Sequence, residues 1–206
     1  AAAFVTRGHA GPQRRVVPGV HPQGVDVAGF KKPPPDELAR DFLWRVHARV
    51  PARGKIVVFN RSHYEDVLIV RVHGLIDAAE VERRYEHIRD FEQLLSQQGT
   101  RIVKFYLHID RDEQKERLEK RLADPNKLWK FNPADLAERE KWVDYMNAYA
   151  DAIRATHTDE APWYVIPANR KWYRDWAVLS VLVETLEQMD PQYPAADFDP
   201  TQIRVV

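Results

Sequence analysis

Asn60, Arg61, Glu65 and Asp66 combine side-chain types suited to handling phosphate, and they follow directly on the apolar run Ile56-Val57-Val58-Phe59. That run has the length and composition of a buried strand. Arg61 brings a permanently charged planar fork that matches phosphate oxygens. Asn60, Glu65 and Asp66 bring oxygen donors of the kind Mg²⁺ accepts, directly or through water. Ser62, His63 and Tyr64 lie between them and add hydrogen-bonding groups. Phosphoryl transfer is the chemistry such a set serves, because positioning and charge neutralisation supply most of its catalysis. The same stretch also reads as a polar loop that caps the next helix and pairs Arg61 with Glu65.

A second concentration of charge runs from 111 to 130. Arg111, Lys115, Arg117, Lys120, Arg121, Lys127 and Lys130 are interleaved with Asp112, Glu113, Glu116, Glu119 and Asp124. One reading is a solvated helix laced by i,i+4 pairs. The other is a lid whose cations close over a polyanion. Arg170 and Lys171 follow a further apolar run at 163–166 and are candidates for a nucleotide or phosphate chain, or plain surface cations. A phosphate cradle needs a Gly-rich turn, a Lys and a helix N-terminus. The segment RGHAGP at 7–12 offers Gly8 and Gly11 without Lys, Ser or Thr, so by itself it is not a P-loop. The His residues show no HExxH-type metal spacing.

These groups need a scaffold. Strands are expected at 25–30, 55–59, 102–109 and 163–166, and helices at 36–50, 77–98, 113–122, 133–156 and 172–188. Gly99 should end the second helix, and Asn132-Pro133 reads as an N-cap followed by the first helical position. Residues 1–24 are rich in Ala, Gly, Pro and Arg and show no period. Strands alternating with helices imply a parallel α/β sheet covered on both faces. Such sheets place ligands outside the carboxyl ends of their strands, where 60–66 and 169–171 fall.

The 206 residues are expected to form a single domain over 1–206. Lys plus Arg and Asp plus Glu both number 31, so overall charge gives no case for nucleic acid or a membrane surface. The absence of Cys excludes thiol catalysis and Cys-ligated zinc. No apolar run reaches the length of a membrane span and no signal-peptide pattern is visible, so the cytoplasm is the expected location.

Several stretches in order resemble the polyphosphate kinase 2 family: DFLWRVH (41–47), FNRSHYEDVLIVRVHGL (59–75), RYEHIRDFEQLL (84–95), RLADPNKLWKFNPADLAERE (121–140) and APWYVIPANRKWYR (161–174). The resemblance covers about residues 16–190. It implies a three-layer α/β/α, P-loop-kinase-like fold with a helical lid at about 111–140. It also implies Mg²⁺ dependence, a homo-oligomer, and phosphoryl exchange between inorganic polyphosphate and nucleotides (AMP, ADP, ATP). In many members the motif at the strand end begins with Asp and has Asn five residues on. Asn60 and Glu65 stand there in this chain, as in the subgroup that phosphorylates nucleoside monophosphates as well as diphosphates. By the same resemblance Arg61 holds phosphate, and Glu65 with Asn60 organises Mg²⁺. Arg117, Lys120 and Arg121, with Lys127 and Lys130, contact the phosphate chain.

The front departs from the family. Aligned back from His21-Pro22-Gln23-Gly24-Val25, the family's Gly-Lys-Asp-Gly-Thr falls on Gly8-His9-Ala10-Gly11-Pro12. His9 stands for the Lys and Pro12 for the Thr, and residues 1–15 as a whole look foreign. A truncated gene fragment or a shifted reading frame is the expectation, with impaired activity. Three readings follow: a polyphosphate:AMP/ADP phosphotransferase, a non-catalytic polyphosphate-binding remnant, or an ATP-dependent nucleotide kinase.

Overall fold

A computed structural model describes residues 2–6, 25–30, 33–191 and 204. Strands β1 (Ala2–Thr6), β2 (Val25–Gly29), β3 (Ile56–Asn60), β4 (Arg101–His108) and β5 (Trp163–Pro167) pair in parallel in the order β2-β3-β1-β4-β5. β1 is the central strand, although the sequence shows no period there. Its five residues are defined by the ladders on both sides, with β3 and with β4, rather than by a pattern of their own.

The helices are α1 (Pro35–Leu38), α2 (Trp44–His47), α3 (Glu65–Val72), α4 (Ala78–Gln97), α5 (Arg111–Leu122), α6 (Ala134–Glu140), α7 (Trp142–Thr156) and α8 (Lys171–Met189), with a 3₁₀ turn at Pro125–Lys130. The single helix expected over 36–50 is instead the two short pieces α1 and α2. Asp41 Oδ1 accepts from the Leu43 N–H at 3.0 Å, a local turn that competes with helical hydrogen bonding. The helix expected over 133–156 is split at Lys141 into α6 and α7. At the break, Glu138 accepts from the Tyr145 hydroxyl at 2.5 Å and pairs with His73 at 3.0 Å, tying α6 to the end of α3. Asn132 does act at the helix start, its Oδ1 accepting from the Ala134 N–H at 3.1 Å. α4 begins at Asp77, whose carboxylate accepts from the Glu80 N–H at 2.7 Å. It ends before Gly99, whose φ of 87° favours glycine.

The arrangement has three layers. Val57, Phe59 and Ile102 pack against α2 and α4 on one face, while Val58, Val103 and Phe105 pack against Val178 and Leu182 of α8 on the other. α3, α4 and α7 share a further cluster built on Tyr64, Val67, Tyr85, Ile88 and Tyr149. Alternation along β4 places Lys104 on the α4 face with Ile102 and Tyr106, and it is fully buried there.

Such an ammonium needs a counter-charge. Glu92, at a core position of α4, accepts from Lys104 Nζ at 2.6 Å. Lys104 also donates to the Tyr64 hydroxyl at 3.0 Å and the Thr156 carbonyl at 2.8 Å. Burial by itself raises the Glu92 carboxyl, but Lys104 and then His63 outweigh it and hold the group below the ordinary carboxylate range. Burial draws Lys104 below its ordinary value against the pull of Glu92. Burial and the neighbouring Glu92 charge push the Tyr64 phenol well up. Because Glu92 is depressed in the folded chain, its contribution is present above the ordinary carboxylate pKa. It is lost as pH falls through the folded value.

Lys104→Met alone strands a buried carboxylate and is expected to lower stability by about 3–5 kcal/mol, whereas Glu92→Gln with Lys104→Met recovers most of that loss. Thermal melts at neutral pH separate the two variants. The double variant should also lose less stability than the parent chain on acidification. Equal losses for single and double variants contradict the assignment.

Candidate active site

β3 ends at Asn60, in register with Gly29 of β2 and Thr6 of β1. These three carboxyl ends form one rim. The chain crosses β1 when it passes from β3 to β4, which makes this rim the switch point of the sheet. The chain leaves β1 here too, but residues 7–24, with Gly8, His9 and Gly11, lie outside the described residues.

Immediately after the rim, Arg61 takes a left-handed backbone conformation, φ 63°. This costs a non-glycine residue about 1–2 kcal/mol and persists only where neighbours enforce it. The sharp turn directs the next residues into α3. Glu65 N–H donates to the Ser62 carbonyl and Asp66 N–H to the His63 carbonyl, both at 3.0 Å. Glu65 and Asp66 therefore occupy the first turn of α3, where the helix dipole favours carboxylates. α3 is itself braced: Arg71 donates to Asp151 of α7 at 2.7 Å, and Arg84 of α4 donates to the Asp66 carbonyl at 2.8 Å.

The two carboxylates have different surroundings. Asp66 accepts from Arg45 Nη2 at 3.0 Å, and Arg45, itself buried, lies 3.6 Å from Glu37. Glu65 has Arg61 at 3.8 Å, across a guanidinium that is 57% exposed. Arg61, Glu65 and Asp66 line a cleft of about 1130 Å³. Phe30, Leu38, Phe42 and Ile69 supply its apolar walls, and Glu138 reaches it from α6. Walls of hydrocarbon beside Arg61, with Arg40, Arg45 and Arg84 also in a lining that holds several carboxylates, suit a ligand with an aromatic part and a phosphate part.

The other candidate cations are placed less simply. Arg117 uses its guanidinium on Glu113 at 2.6 Å and on the carbonyls of Ala168 and Asn169 at 2.7 and 3.1 Å. It thereby ties α5 to the loop after β5. Asp110, before α5, and Asn169 exchange hydrogen bonds across the same junction, at 3.1 and 2.5 Å. Lys120 pairs with Glu116, and Lys127 with Asp124. Lys130 lies 4.8 Å from the ring centre of Trp129, which is 79% exposed. Arg121 lies in the last turn of α5. Arg170 and Lys171, both exposed, open α8. Among the described residues, none of these cations lines the cleft.

Sequence reasoning missed Arg45, Arg84 and Glu138, which line the cleft. Arg45 lies within the DFLWRVH stretch, among apolar neighbours where a charged residue demands a partner. His63 and Tyr64, inside the candidate stretch, are buried against Glu92 instead of lining the cleft.

The sequence model described as polyphosphate kinase 2 matches residues 3–194. The chain belongs to the polyphosphate kinase 2 family. It is 56% identical over 187 residues to an AMP/ADP-polyphosphate phosphotransferase of Meiothermus ruber, covering 91% of this chain and 70% of the relative. An ADP-polyphosphate phosphotransferase of Rhodopseudomonas palustris is 45% identical over 204 residues, covering 93% of this chain and 71% of the relative. The crystal structure of a polyphosphate kinase 2 from Arthrobacter aurescens superposes with a TM-score of 0.93 at 50% identity, over 97% of this chain and 72% of that one. The α/β fold is accordingly that of the polyphosphate kinase 2 family, P-loop-kinase-like with a parallel sheet.

Arg61→Gly relieves the left-handed backbone and is expected to raise stability by up to about 1 kcal/mol, while weakening the binding of tripolyphosphate. Denaturant titration and calorimetry measure the two effects. A loss of stability with unchanged binding contradicts a functional origin for the strain.

Proposed function

We propose that this chain moves a phosphoryl group between inorganic polyphosphate and AMP or ADP at the carboxyl end of β3. The observation that carries the proposal is the strained, exposed Arg61 beside Glu65 on the rim of a large cleft at the sheet's switch point. The names of the relatives from Meiothermus ruber and Rhodopseudomonas palustris support it. In this reading Arg61 grips a phosphate, Asp66 stays fixed by Arg45, and the apolar walls hold the nucleoside. Lys120, Arg121, Lys127 and Lys130 attract the phosphate chain from a lid at about 111–140, and Arg170 and Lys171 do so from the start of α8, while Arg117 holds the lid to its base. An acceptor phosphate oxygen forms a bond to the terminal phosphorus of polyphosphate as the P–O bond to the next phosphate breaks. The shortened chain leaves with the electron pair. No covalent enzyme intermediate is needed.

Asn60 and Glu65 fit Mg²⁺. Asn60 ends β3 at the rim and Glu65 lines the cleft, both are oxygen donors, and Mg²⁺ is commonly held by one or two protein oxygens with substrate phosphates and water completing its shell. When bound, the ion neutralises charge on the phosphates. A homo-oligomer in the cytoplasm belongs to the same reading. Among the described residues no helix is long and apolar enough to cross a membrane.

Transfer by this chain is weak in this proposal. His9 stands where the family carries a Lys, and Pro12 lacks a backbone N–H that a phosphate cradle uses. Losing one preorganised donor of this kind lowers rates about a hundred- to a thousandfold. A non-catalytic polyphosphate binder is the second reading, favoured by the same two residues.

Incubation with polyphosphate, AMP or ADP, and Mg²⁺ is expected to give product at least about a hundredfold more slowly than a turnover of ~10 s⁻¹, and none with EDTA. ATP in place of polyphosphate as donor should be inferior. His9→Lys with Pro12→Thr should raise the rate. Turnover near ~10 s⁻¹ without that change refutes the impairment. Silence after it, with tripolyphosphate still bound, favours the non-catalytic binder.

A further inference from the structure

The loop from 60 to 66 is gripped from inside the core by groups that line no part of the cleft. His63 Nε2 lies 3.3 Å from Glu92 Oε1, and the Tyr64 hydroxyl lies 3.0 Å from the same oxygen. Two consecutive loop residues thus converge on one carboxylate. Its other oxygen accepts from Lys104, which also donates to the Tyr64 hydroxyl and the Thr156 carbonyl, so all three ammonium protons have acceptors. The Tyr64 hydroxyl is 2.9 Å from Thr156 Oγ1, which in turn accepts from Trp163 Nε1 at 2.9 Å and donates to the Ala152 carbonyl at 2.6 Å. The rings of His63 and Tyr64 are 4.7 Å apart, and Tyr64 meets Trp163 edge-on at 4.7 Å.

We infer that the buried Lys104–Glu92 pair is a positioning device for the active-site loop, holding His63 and Tyr64 so that Arg61, Glu65 and Asp66 are presented to the cleft. Filling this part of the core does not require charge, since apolar residues of matched volume serve stability as well or better. Among the described residues, every partner of the Glu92 carboxylate other than Lys104 belongs to the loop. The strained residue supplies the second argument. A left-handed Arg61 persists only if the backbone on both sides is fixed. On one side Asn60 is fixed in the ladder between Thr6 and Gly29, with its carbonyl accepting from the Phe30 N–H at 3.3 Å. On the other side the first side chains able to act as anchors are those of the buried residues Ser62, His63 and Tyr64, and the latter two end on Glu92. The pair is therefore a link between the strain at Arg61 and the middle of β4. Glu92, Lys104, His63 and Tyr64 are positioning residues, not catalytic ones, because none lines the cleft.

The inference rests on the proposed function only in taking the loop as the phosphate-handling element, and its test separates the two. Hydrogen exchange is followed in the intact chain, in Glu92→Gln/Lys104→Met, and in Tyr64→Phe, which keeps the ring and the charged pair. Calorimetry with tripolyphosphate and with AMP accompanies it. Exchange across 61–67 should rise at least about tenfold in both variants while the amides of α8 stay within about twofold. Affinity for the probes should fall about tenfold. Arg61→Ala should weaken tripolyphosphate binding about tenfold in the intact chain but less than about threefold in the double variant, because the loop has already lost its aim. Unchanged loop exchange, an equal rise in the loop and α8, or losses that simply multiply each overturn the inference. Should the double variant fail to fold, Tyr64→Phe decides by the same readouts. If the intact chain binds neither probe, the proposed function fails, and loop exchange still decides whether the pair positions the loop.

Discussion

A fully buried ammonium in the middle of a parallel sheet constrains everything around it. Lys104 cannot reach water, so the core must supply a carboxylate and two further acceptors at hydrogen-bond distance. Glu92 does so from α4, Thr156 from the end of α7, and Tyr64 from the loop after β3. Three elements that are distant in sequence are thereby fixed against one strand. The consequence reaches the cleft, because the loop so fixed carries Arg61, Glu65 and Asp66. A charge that a core does not need for its own stability becomes intelligible as a means of holding a polar loop in one conformation.

The division of labour between the two carboxylates of α3 follows from their neighbours. Asp66 is committed to the buried Arg45, and its backbone carbonyl to Arg84, so it serves the shape of the cleft. Among the described residues Glu65 meets the loosely held Arg61 at 3.8 Å, in a contact that contributes little to stability at such exposure. In the proposed function Glu65 is the carboxylate that meets an incoming cation or nucleotide. The 56% identity to the Meiothermus ruber relative and the TM-score of 0.93 to the Arthrobacter aurescens structure place the chain and its fold in the polyphosphate kinase 2 family.

The strand at 56–60 and its polar sequel were legible in the sequence because an apolar run that ends abruptly in Asn-Arg fits a buried strand emerging at a polar rim. The end of α4 at Gly99 was legible for an equally local reason. β1 was not, since a five-residue central strand is specified by its two neighbours and carries no alternation of its own. The breaks at Asp41 and Lys141 were hidden because helical periodicity does not register the side-chain bonds beside them, Asp41 with the Leu43 N–H and Glu138 with the Tyr145 hydroxyl. The candidate lid cations show a further limit. Sequence alone does not distinguish a Lys120 that waits for a polyanion from one paired with Glu116. The core pair left a signal that spacing alone passes over: Lys104 interrupts Ile102-Val103 and Phe105-Tyr106, and Glu92 stands on the face of Ile88, Phe91 and Leu95. Two opposite charges at core positions of neighbouring elements call for each other.

In the proposed function phosphate is gripped at the loop after β3. The most direct measurement is a crystal structure of the chain with AMP and a non-hydrolysable phosphonate analogue of tripolyphosphate. A phosphate or phosphonate oxygen is expected within hydrogen-bond reach of the Arg61 guanidinium, with the nucleoside between Phe42 and Ile69. Both ligands bound elsewhere, with Arg61 still turned to solvent, would contradict it.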